Sequence, residues 1–307
     1  MKLYWLTIDD DCKKTISLDG FEVVYGLPPV GSSYPLVVEV SGLDNRVFKL
    51  LPEYRPIIFC SRSINGFSYD DVLVYINSLA LNGCPMFFNL EDLLFHLKMV
   101  QMLKECKTVE QLEVLIKEID GGNHSKNVGV IFSTLSSAIG LDSDKDLSYL
   151  LGLIHDIGKA WISHSLITDS TYYSNSSLEK IIIKTHPVLG YFNCKKVLSS
   201  ELMNYFPNNE LKLSIFLHHE RKNGSGYPIG MKTDIPFLSS LIAVSDVYDA
   251  LRSPRPYRGA MDKDHTLSYI KAYKNNLFLP KAVDVFLEVV EDVEFLYQQN
   301  NGELIYA

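Results

Sequence analysis

The stretch "DLSYLLGLIHDIGKA", residues 146–160, contains the pattern that decides the fold. Its first nine residues are mostly apolar, which is typical of a buried helix, and the run turns polar at His155 and Asp156. A buried charge is costly unless it has a partner. We therefore expect other polar side chains, or a metal ion, close to this histidine and aspartate.

Two further apolar segments end in, or contain, the same kinds of side chain. "LSIFL" runs directly into "HHERKNGSGYP" at 218–228, and "LIAVS" is followed by Asp246. Neighbouring side chains on a helix point roughly 100° apart, so the pair His218 and His219 is poorly suited to filling one core face. The pair is better suited to reaching two nearby points at a helix end.

The simplest interpretation of each residue is structural. A single buried histidine is more often a hydrogen-bonded core residue than a metal ligand, and an aspartate before a helix usually caps it. That interpretation weakens when several histidines and aspartates must be explained together. Imidazole nitrogens with carboxylate oxygens suit Mn, Fe, Zn or Co, and paired metals about 3.5–4 Å apart often cleave phosphoesters.

Five motifs in a fixed order carry a family resemblance: "HDIGK", "THPVLGY", "HHERKNGSGYP", "AVSDVYDAL" and "RPYR". This combination resembles the HD-GYP family of cyclic dinucleotide phosphodiesterases, a subset of the HD superfamily, over roughly residues 120 to 265. The resemblance implies an all-α, HD-type helical catalytic domain. With a small β-rich amino-terminal domain before it, the fold class is α+β overall.

The resemblance implies a set of metal ligands for two divalent ions, Fe or Mn, with Asp156 bridging the two. The set is His124, His155, Asp156, His186, His218, His219 and Asp246. Asp120, four residues before His124, is a candidate ligand for a third metal. Gly121 and Gly122 intervene, which favours a turn or capping role for Asp120.

The resemblance also implies contacts to the substrate. Lys159 and Tyr227 are expected to be catalytic together with Asp156, with Lys159 on phosphate and the Tyr227 hydroxyl near the substrate. Further substrate-binding residues are Asp249, Arg255 and Arg258. Arginine suits bidentate contacts to phosphate.

The chain departs from the family pattern at several positions. Lys222 stands where the family often has Trp, and Asn223 stands where it usually has Asp. The segment 160–180 replaces the family's usual Pro-Asp and Lys-Pro-Gly elements and is expected to border the pocket, which leaves substrate preference open. We assign no role to His96 or His265, and expect His164 on the surface or in a loop.

The expected function is a metal-dependent phosphodiesterase that opens a cyclic dinucleotide to the linear dinucleotide with a metal-activated hydroxide. By resemblance, cyclic di-GMP is the expected substrate, and 3',3'-cyclic GMP-AMP is the alternative. Whether the linear product is cleaved further to mononucleotides is left open. One alternative is a non-hydrolytic cyclic dinucleotide sensor that signals through its amino-terminal domain. Another is a mononucleotide phosphohydrolase, against which the "GYP" loop and "RPYR" argue.

The amino-acid composition indicates which binding partners and which cellular compartment to expect. The 307 residues carry a net charge of −8, which argues against binding to duplex nucleic acid because such binding usually needs a basic face. The sequence contains no run of 18 apolar residues, so we do not expect it to insert into a membrane. The five cysteines form no CxxC pair and are expected to be reduced thiols of a cytoplasmic protein.

Three regions are predicted. Short runs rich in β-branched and aromatic residues suggest a small sheet or barrel at 1–66, with a regulatory or dimerising role; they are "KLYWLTI", "FEVVYGL", "YPLVVEV", "RVFKLL" and "PIIFCS". A helical connector at 67–119 is expected to hold helices at 68–80, 89–106 and 108–119. The catalytic region is 120–307, and the resemblance leaves open a homodimer and a diguanylate cyclase-type partner domain bound through the GYP loop.

Overall fold

A computed structural model gives the structure of most of the chain. It describes residues 2–8, 21–30, 32, 34–40, 44–51, 54–60, 69–141, 145–168, 177–206, 210, 212–254 and 259–299. Arg255 and Arg258 lie outside the described residues. Their predicted contact with the substrate stays a prediction.

The amino-terminal strands form one open, parallel sheet. The strands are β1 (Lys2–Thr7), β2 (Glu22–Tyr25), β3 (Leu36–Val40), β4 (Ile57–Cys60) and β5 (Met86–Phe87). Their order is β2-β1-β3-β4-β5, and every pair is parallel. The sequence predicted a small sheet or barrel, and the described strands form a sheet with two edges.

One predicted strand is wrong. The run "RVFKLL" belongs to a short 3₁₀ turn, Asn45–Lys49, instead of a strand. Asp44 accepts a hydrogen bond from the Arg46 backbone N–H at 2.8 Å, which caps this turn. A local side-chain cap of this kind competes with strand pairing and overrides the β propensity of Val47 and Phe48.

Helices pack on both faces of the sheet, and one of them forms the crossover between the parallel strands β4 and β5. One face packs against α1 (Tyr69–Leu81), and the other packs against α2 (Leu90–Glu105). Val38 and Ile58 share one core cluster with Ile76 and Leu79 of α1. Trp5, Val37 and Phe87 share the other with Leu93 and Leu97 of α2. The strands β1 to β4 lie within the predicted β-rich region, and helices of the predicted connector pack on their sheet to give an α/β layer. The boundaries 1–66, 67–119 and 120–307 stay predictions.

The remainder of the described chain is helical, as the sequence predicted for an HD-type domain. The helices are α3 (Val109–Asp120), α4 (His124–Ala138), α5 (Lys145–Leu153), α6 (Ser165–Thr168), α7 (Ser177–Ile183), α8 (His186–Val197), α9 (Ser200–Met203), α10 (Phe237–Arg252), α11 (Lys263–Ala272) and α12 (Pro280–Gln299). A 3₁₀ turn, Ile157–Trp161, follows α5, and a π-helical turn, Lys212–Phe216, precedes the double histidine. Within the described residues, no helix has the length and apolar character needed to cross a bilayer.

Capping residues explain where the connector helices begin. Asn89 precedes α2 and accepts a hydrogen bond from the Asp92 backbone N–H at 2.8 Å, as predicted. Thr108 and Gln111 form a reciprocal capping box at the start of α3. The three predicted helices of this region are therefore confirmed at Tyr69–Leu81, Leu90–Glu105 and Val109–Asp120.

Candidate metal centre

The end of α5 places the first pair of candidate ligands. Leu153 and Ile154 are fully buried, and the chain turns directly after them, so His155 and Asp156 are held inside the protein at 0% and 4% exposure. The His155 Nδ1–H donates to the carbonyl oxygen of Gly152 at 2.7 Å. This bond fixes the imidazole with Nε2 directed at Asp156 Oδ2, 3.3 Å away.

Two glycines allow α8 to approach this pair. A Cβ on Gly158 would lie 1.9 Å from the carbonyl oxygen of His186, and a Cβ on Gly190 would lie 2.8 Å from the Cα of Gly158. Only glycine at both positions allows the two backbones to come so close. The approach brings His186 Nε2 to 2.9 Å from Asp156 Oδ1.

The π-helical turn before the double histidine orients the next two candidate ligands, His218 and His219. The carbonyl oxygens of Ser214 and Ile215 each lie 2.9 Å from His218 Nδ1. His218 Nε2 therefore faces Asp156 Oδ1, at 3.5 Å. His219 Nδ1 lies 3.8 Å from Asp246 Oδ2 on α10.

Helices α4 and α10 complete the cluster. His124, the first residue of α4, places Nε2 at 3.1 Å from Asp246 Oδ1. Its Nδ1–H donates to Asp249 Oδ2 at 2.6 Å. Asp249 is fully buried and also accepts hydrogen bonds from Asn127 and Ser253. The enclosed carboxylate orients His124, and the predicted contact of Asp249 with substrate stays a prediction.

All seven predicted metal ligands converge in one place. They form two groups of ligand atoms, each within 4.8 Å of one another: Asp156, His186, His218 and His219, and next to them His124, His155 and Asp246. Asp156 belongs to the first group and lies 3.3 Å from His155 of the second. A single carboxylate therefore joins the two groups.

Unsatisfied buried atoms show that these residues fit divalent cations. Within the described part of the chain, His155 Nε2 and Asp156 Oδ1 are buried without a hydrogen-bond partner. With Nδ1–H donating to a backbone carbonyl, the neutral form of the His155 imidazole would present a lone pair at Nε2. His186 makes the same bond, through Nδ1 to Ile183 at 2.6 Å. Lone pairs from imidazoles and carboxylates thus point at each other, an arrangement that a cation would stabilise.

The charge states of His218, His219 and Asp156 agree with this assignment. Burial alone would lower the pKa of His155, but Asp156 raises it, so a cation bound there would displace a proton. Burial lowers the pKa of His218 to about 4 and holds the pKa of His219 well below its usual value, so both imidazoles are neutral. Burial would raise the pKa of Asp156, but Lys159, His155 and His186 hold it well below its usual range. Neutral imidazoles and ionised carboxylates are the forms that bind metals.

Lys159 lies at the rim of the cluster between two carboxylates. Its ammonium donates to Asp156 Oδ2 at 2.6 Å and to Asp120 Oδ1 at 2.5 Å. The other oxygen of Asp120 accepts a hydrogen bond from the Ser125 backbone N–H at 2.8 Å, in the first turn of α4. Asp120 is the last residue of α3, and Gly121 ends that helix in the left-handed conformation.

The loop that follows the double histidine places Tyr227 beside the cluster. The ring of Tyr227 lies 4.5 Å from the ring of His219, centroid to centroid. Burial, with Asp156 and Asp246 nearby, holds the pKa of Tyr227 well above its usual value, so the hydroxyl keeps its proton.

Glu220 organises this loop, and the sequence reasoning missed its role. Its carboxylate accepts hydrogen bonds from three backbone N–H groups: Ile229 at 2.7 Å, Gly230 at 3.2 Å and Met231 at 2.7 Å. The signal was present in the sequence, because a glutamate directly after two histidines and before a glycine-rich loop can only be buried if the loop supplies its donors.

Asn223, His164 and His265 each contact residues outside the predicted ligand set. Asn223 donates to Asn276 at 2.8 Å and accepts from the Ser225 backbone N–H at 2.9 Å, so it shapes the loop turn. His164 is stacked on Phe95 at a centroid distance of 3.9 Å. His265 lies in the first turn of α11 and interacts with Asp262.

Comparison with known protein families places this cluster in a wider group. The family model described as "HD domain" matches residues 113–281, more than half of the chain. The chain belongs to the HD domain family. The match spans every predicted metal ligand and supports the resemblance that the motifs indicated.

The chain is also similar to curated members with named activities. It is 30% identical to the cyclic di-GMP phosphodiesterase response regulator RpfG of Xanthomonas campestris pv. campestris, over 60% of this chain and 48% of that protein. It is 28% identical to a cyclic di-GMP phosphodiesterase of Thermotoga maritima, over 71% of this chain and 55% of that protein. The 3'3'-cGAMP-specific phosphodiesterase 1 of Vibrio cholerae is 30% identical over 48% of this chain and 32% of its own length. The chain spans about half the length, or less, of these relatives.

Among solved structures, Bd1817, an HDG"Y"P protein from Bdellovibrio bacteriovorus, is similar with a TM-score of 0.44 and 18% identity. The similarity covers 74% of each chain.

Proposed function

We propose that this HD domain protein is a metal-dependent phosphodiesterase that hydrolyses a cyclic dinucleotide. The observation that carries the proposal is the convergence of two neighbouring ligand groups, with Asp156 of one group 3.3 Å from His155 of the other. The names of three similar proteins support the substrate class, since they are phosphodiesterases for cyclic di-GMP or 3'3'-cGAMP. The proposed product is the linear dinucleotide.

We propose that the two ligand groups hold two divalent ions, Fe or Mn. His124, His155 and Asp246 would hold one; His186, His218 and His219 would hold the other, with Asp156 between them. When bound, such ions lower the pKa of water and polarise phosphoryl oxygens. The imidazoles support this role because burial keeps His218 and His219 neutral.

Asp120 is a weaker candidate for a third metal. Both oxygens of its carboxylate accept hydrogen bonds, one from Lys159 and one from Ser125. The salt bridge to Lys159 holds the pKa of Asp120 at about 2, against the opposing effect of burial. We propose that Asp120 positions Lys159 and the start of α4, and that the centre holds two ions.

Two residues are proposed to contact the substrate. Lys159 has a partly accessible ammonium beside Asp156, where it can offset negative charge on a phosphate. Tyr227 keeps its proton and can donate a hydrogen bond to a phosphate oxygen, next to His219. Arg255 and Arg258 remain proposed phosphate or base contacts on the strength of their motif alone.

The loop beyond Tyr227 is the proposed place for a protein partner. Ile229 is 60% exposed although it is apolar, and Glu220 fixes the backbone on which it stands. A rigid loop that presents an apolar side chain supports a contact with a cyclase-type domain or with a second copy of this chain.

Hydrolysis is favoured over binding alone by the complete ligand set. A sensor needs no metal-activated water, so nothing would keep seven ligand side chains in place. The test is to incubate the metal-loaded protein with cyclic di-GMP, 3'3'-cGAMP, GMP and AMP, and to separate the products by chromatography. We expect a linear dinucleotide from at least one cyclic substrate. Tight binding of a cyclic dinucleotide without any product would favour the sensor.

A further inference from the structure

A second cavity lies between the sheet and the helical part of the chain. Its volume is about 940 Å³, within the range of about 300–1,000 Å³ that is usual for small-molecule sites. Leu36, Ile57 and Pro85 line it at the amino ends of β3, β4 and β5, and residues of α2 and α8 form another wall. The seven predicted metal ligands are absent from its lining. The cavity is therefore separate from the metal centre.

Three cations line this cavity: Arg55 before β4, Lys104 on α2 and Lys196 on α8. In the described part of the chain, none of them forms an ion pair with a carboxylate. Glu105 also lines the cavity, and it accepts a hydrogen bond from Gln101 at 3.2 Å. Burial and the nearby Arg55 lower the pKa of Lys196 to about 8. An anionic ligand would relieve the repulsion between these cations.

Aromatic rings provide a second kind of surface in the same cavity. Tyr34, Tyr54 and Trp161 all line it. Trp161 is 4% exposed, and the Tyr54 hydroxyl donates to the carbonyl oxygen of Pro28 at 3.3 Å. Flat aromatic side chains are good stacking surfaces for nucleobases. The lining therefore combines positive charge with places for a planar ring.

His96 adds a specific hydrogen-bond acceptor to this lining. It is 2% exposed, and its Nδ1–H donates to the carbonyl oxygen of Ala160 at 2.6 Å. Burial lowers the pKa of His96 to about 4, so the ring is neutral and Nε2 carries a lone pair. Within the described residues, Nε2 has no hydrogen-bond partner. A buried acceptor of this kind suits an N–H group of a ligand.

We propose that this cavity binds a nucleotide. Its phosphate group would lie against Arg55, Lys104 and Lys196, and its base would pack on the aromatic side chains. An N–H group of the base would donate to His96 Nε2. The proposal rests on residues that line one cavity: the three cations, the aromatic side chains, and His96 with its unpaired Nε2.

The cavity is connected to the metal centre by one short element. The 3₁₀ turn Ile157–Trp161 carries Lys159, which contacts Asp156, and Ala160, which accepts the hydrogen bond from His96. Its last residue, Trp161, lines the cavity. A bound nucleotide that engages His96 and Trp161 therefore acts on the segment that holds Lys159. This regulatory consequence rests on the function proposed above, whereas the binding itself does not.

Calorimetry on the full chain tests the binding, with GMP and AMP as probes and inorganic phosphate as the anion alone. The Asp156→Ala background removes the shared ligand of the metal centre, so that binding there is suppressed. We expect at least one nucleotide to bind more tightly than phosphate. Lys104→Gln and Lys196→Gln should each weaken that affinity about tenfold, the loss expected when one charged hydrogen bond is removed.

Each variant has a matched control on the same helix. Lys98→Gln on α2 and Lys195→Gln on α8 remove the same charge from residues that do not line the cavity, and we expect unchanged affinity. The proposal is overturned if neither nucleotide binds, if phosphate binds as tightly as both nucleotides, or if the controls weaken binding as much as the cavity variants.

Hydrogen exchange tests the connection without relying on turnover. We expect GMP or AMP to slow amide exchange in Ile157–Trp161 of the unsubstituted chain, and we expect Lys104→Gln to remove this slowing. If nucleotide binding left the amide exchange rates in this turn unchanged, the proposed connection to Lys159 would be wrong. A protein that binds the nucleotide but cleaves no cyclic dinucleotide would refute only the proposed hydrolysis.

Discussion

His124 Nδ1 and Asp249 Oδ2 lie 2.6 Å apart, although 125 positions separate the two residues in the chain. The buried carboxylate fixes the His124 ring so that Nε2 faces Asp246 at 3.1 Å. A carboxylate that holds a ligand histidine in this way typically raises metal affinity. Asp249 is therefore a positioning residue of the proposed metal centre.

Asp249→Asn should weaken Mn²⁺ binding by about 10- to 100-fold, the usual cost of losing such a partner. Calorimetric titration of the metal-free protein with Mn²⁺ measures this change. Asp284→Asn, at an exposed ion pair with Lys274, is the control and should bind Mn²⁺ normally. Equal affinity in the two variants would refute the role of Asp249.

Gly158→Ala should destabilise the protein, because the added Cβ would lie 1.9 Å from the carbonyl oxygen of His186. Overpacking of this kind typically costs about 1–3 kcal/mol, and sometimes more. The free energy of unfolding in urea measures it. Gly122→Ala has no atom within 4 Å of its Cβ and should change stability by less than about 0.5 kcal/mol. A stable Gly158→Ala protein with an intact metal centre would contradict the close approach.

Tyr227→Phe should leave the metal content unchanged and lower kcat/KM for a cyclic dinucleotide by about 10- to 100-fold. That range corresponds to losing one hydrogen bond to a charged group. Metal analysis and product chromatography on the same sample measure both quantities. Loss of metal in this variant would show that Tyr227 supports the ligands instead of the substrate.

Glu294→Gln should destabilise the packing of α12 on α10 in a pH-dependent way. Glu294 is 3% exposed and accepts hydrogen bonds from Arg252 and Tyr248. Burial would raise its pKa, but Arg252, Tyr248 and the nearby Lys263 hold it below the usual value. A carboxyl with a depressed pKa in the folded state stabilises above its unfolded pKa of about 4.3, and the contribution is lost as the pH falls further.

We therefore expect Glu294→Gln to cost about 1–3 kcal/mol at pH 7, and the difference from the unsubstituted protein to shrink below about pH 4. Urea unfolding over a range of pH measures this. Glu288→Gln, on the same helix, is the control for a change of charge alone. If the difference in the free energy of unfolding between the two proteins grew as the pH fell, Glu294 would not have a lowered pKa in the folded state.

The ligand set could be predicted from the sequence. His124 and His186 entered the predicted ligand set only through the family resemblance, whereas the other ligands also lie where an apolar run turns polar. His155, His218 and Asp246 all follow apolar runs, and the structure brings them together. Their detailed geometry could not be predicted. The bond from His124 to Asp249, and the close approach of Gly158 to His186, depend on packing between distant helices.

The amino-terminal sheet was harder to predict. The run Leu36–Val40 is buried at every position, a pattern typical of a parallel strand covered on both faces. Strand β5 has only two residues, which is too short to show the alternating pattern by which a strand is recognised in a sequence. His96 was missed because its partner, Ala160, is 64 residues away.

The most direct test of the central claim is the number of divalent ions bound per chain, measured by elemental mass spectrometry after loading with Mn²⁺ or Fe²⁺. We expect two ions in the unsubstituted protein and none in the folded double variant His155→Ala with Asp156→Ala, which should also lose activity. A double variant that keeps both ions, or that keeps activity after losing them, would refute the proposed two-metal centre.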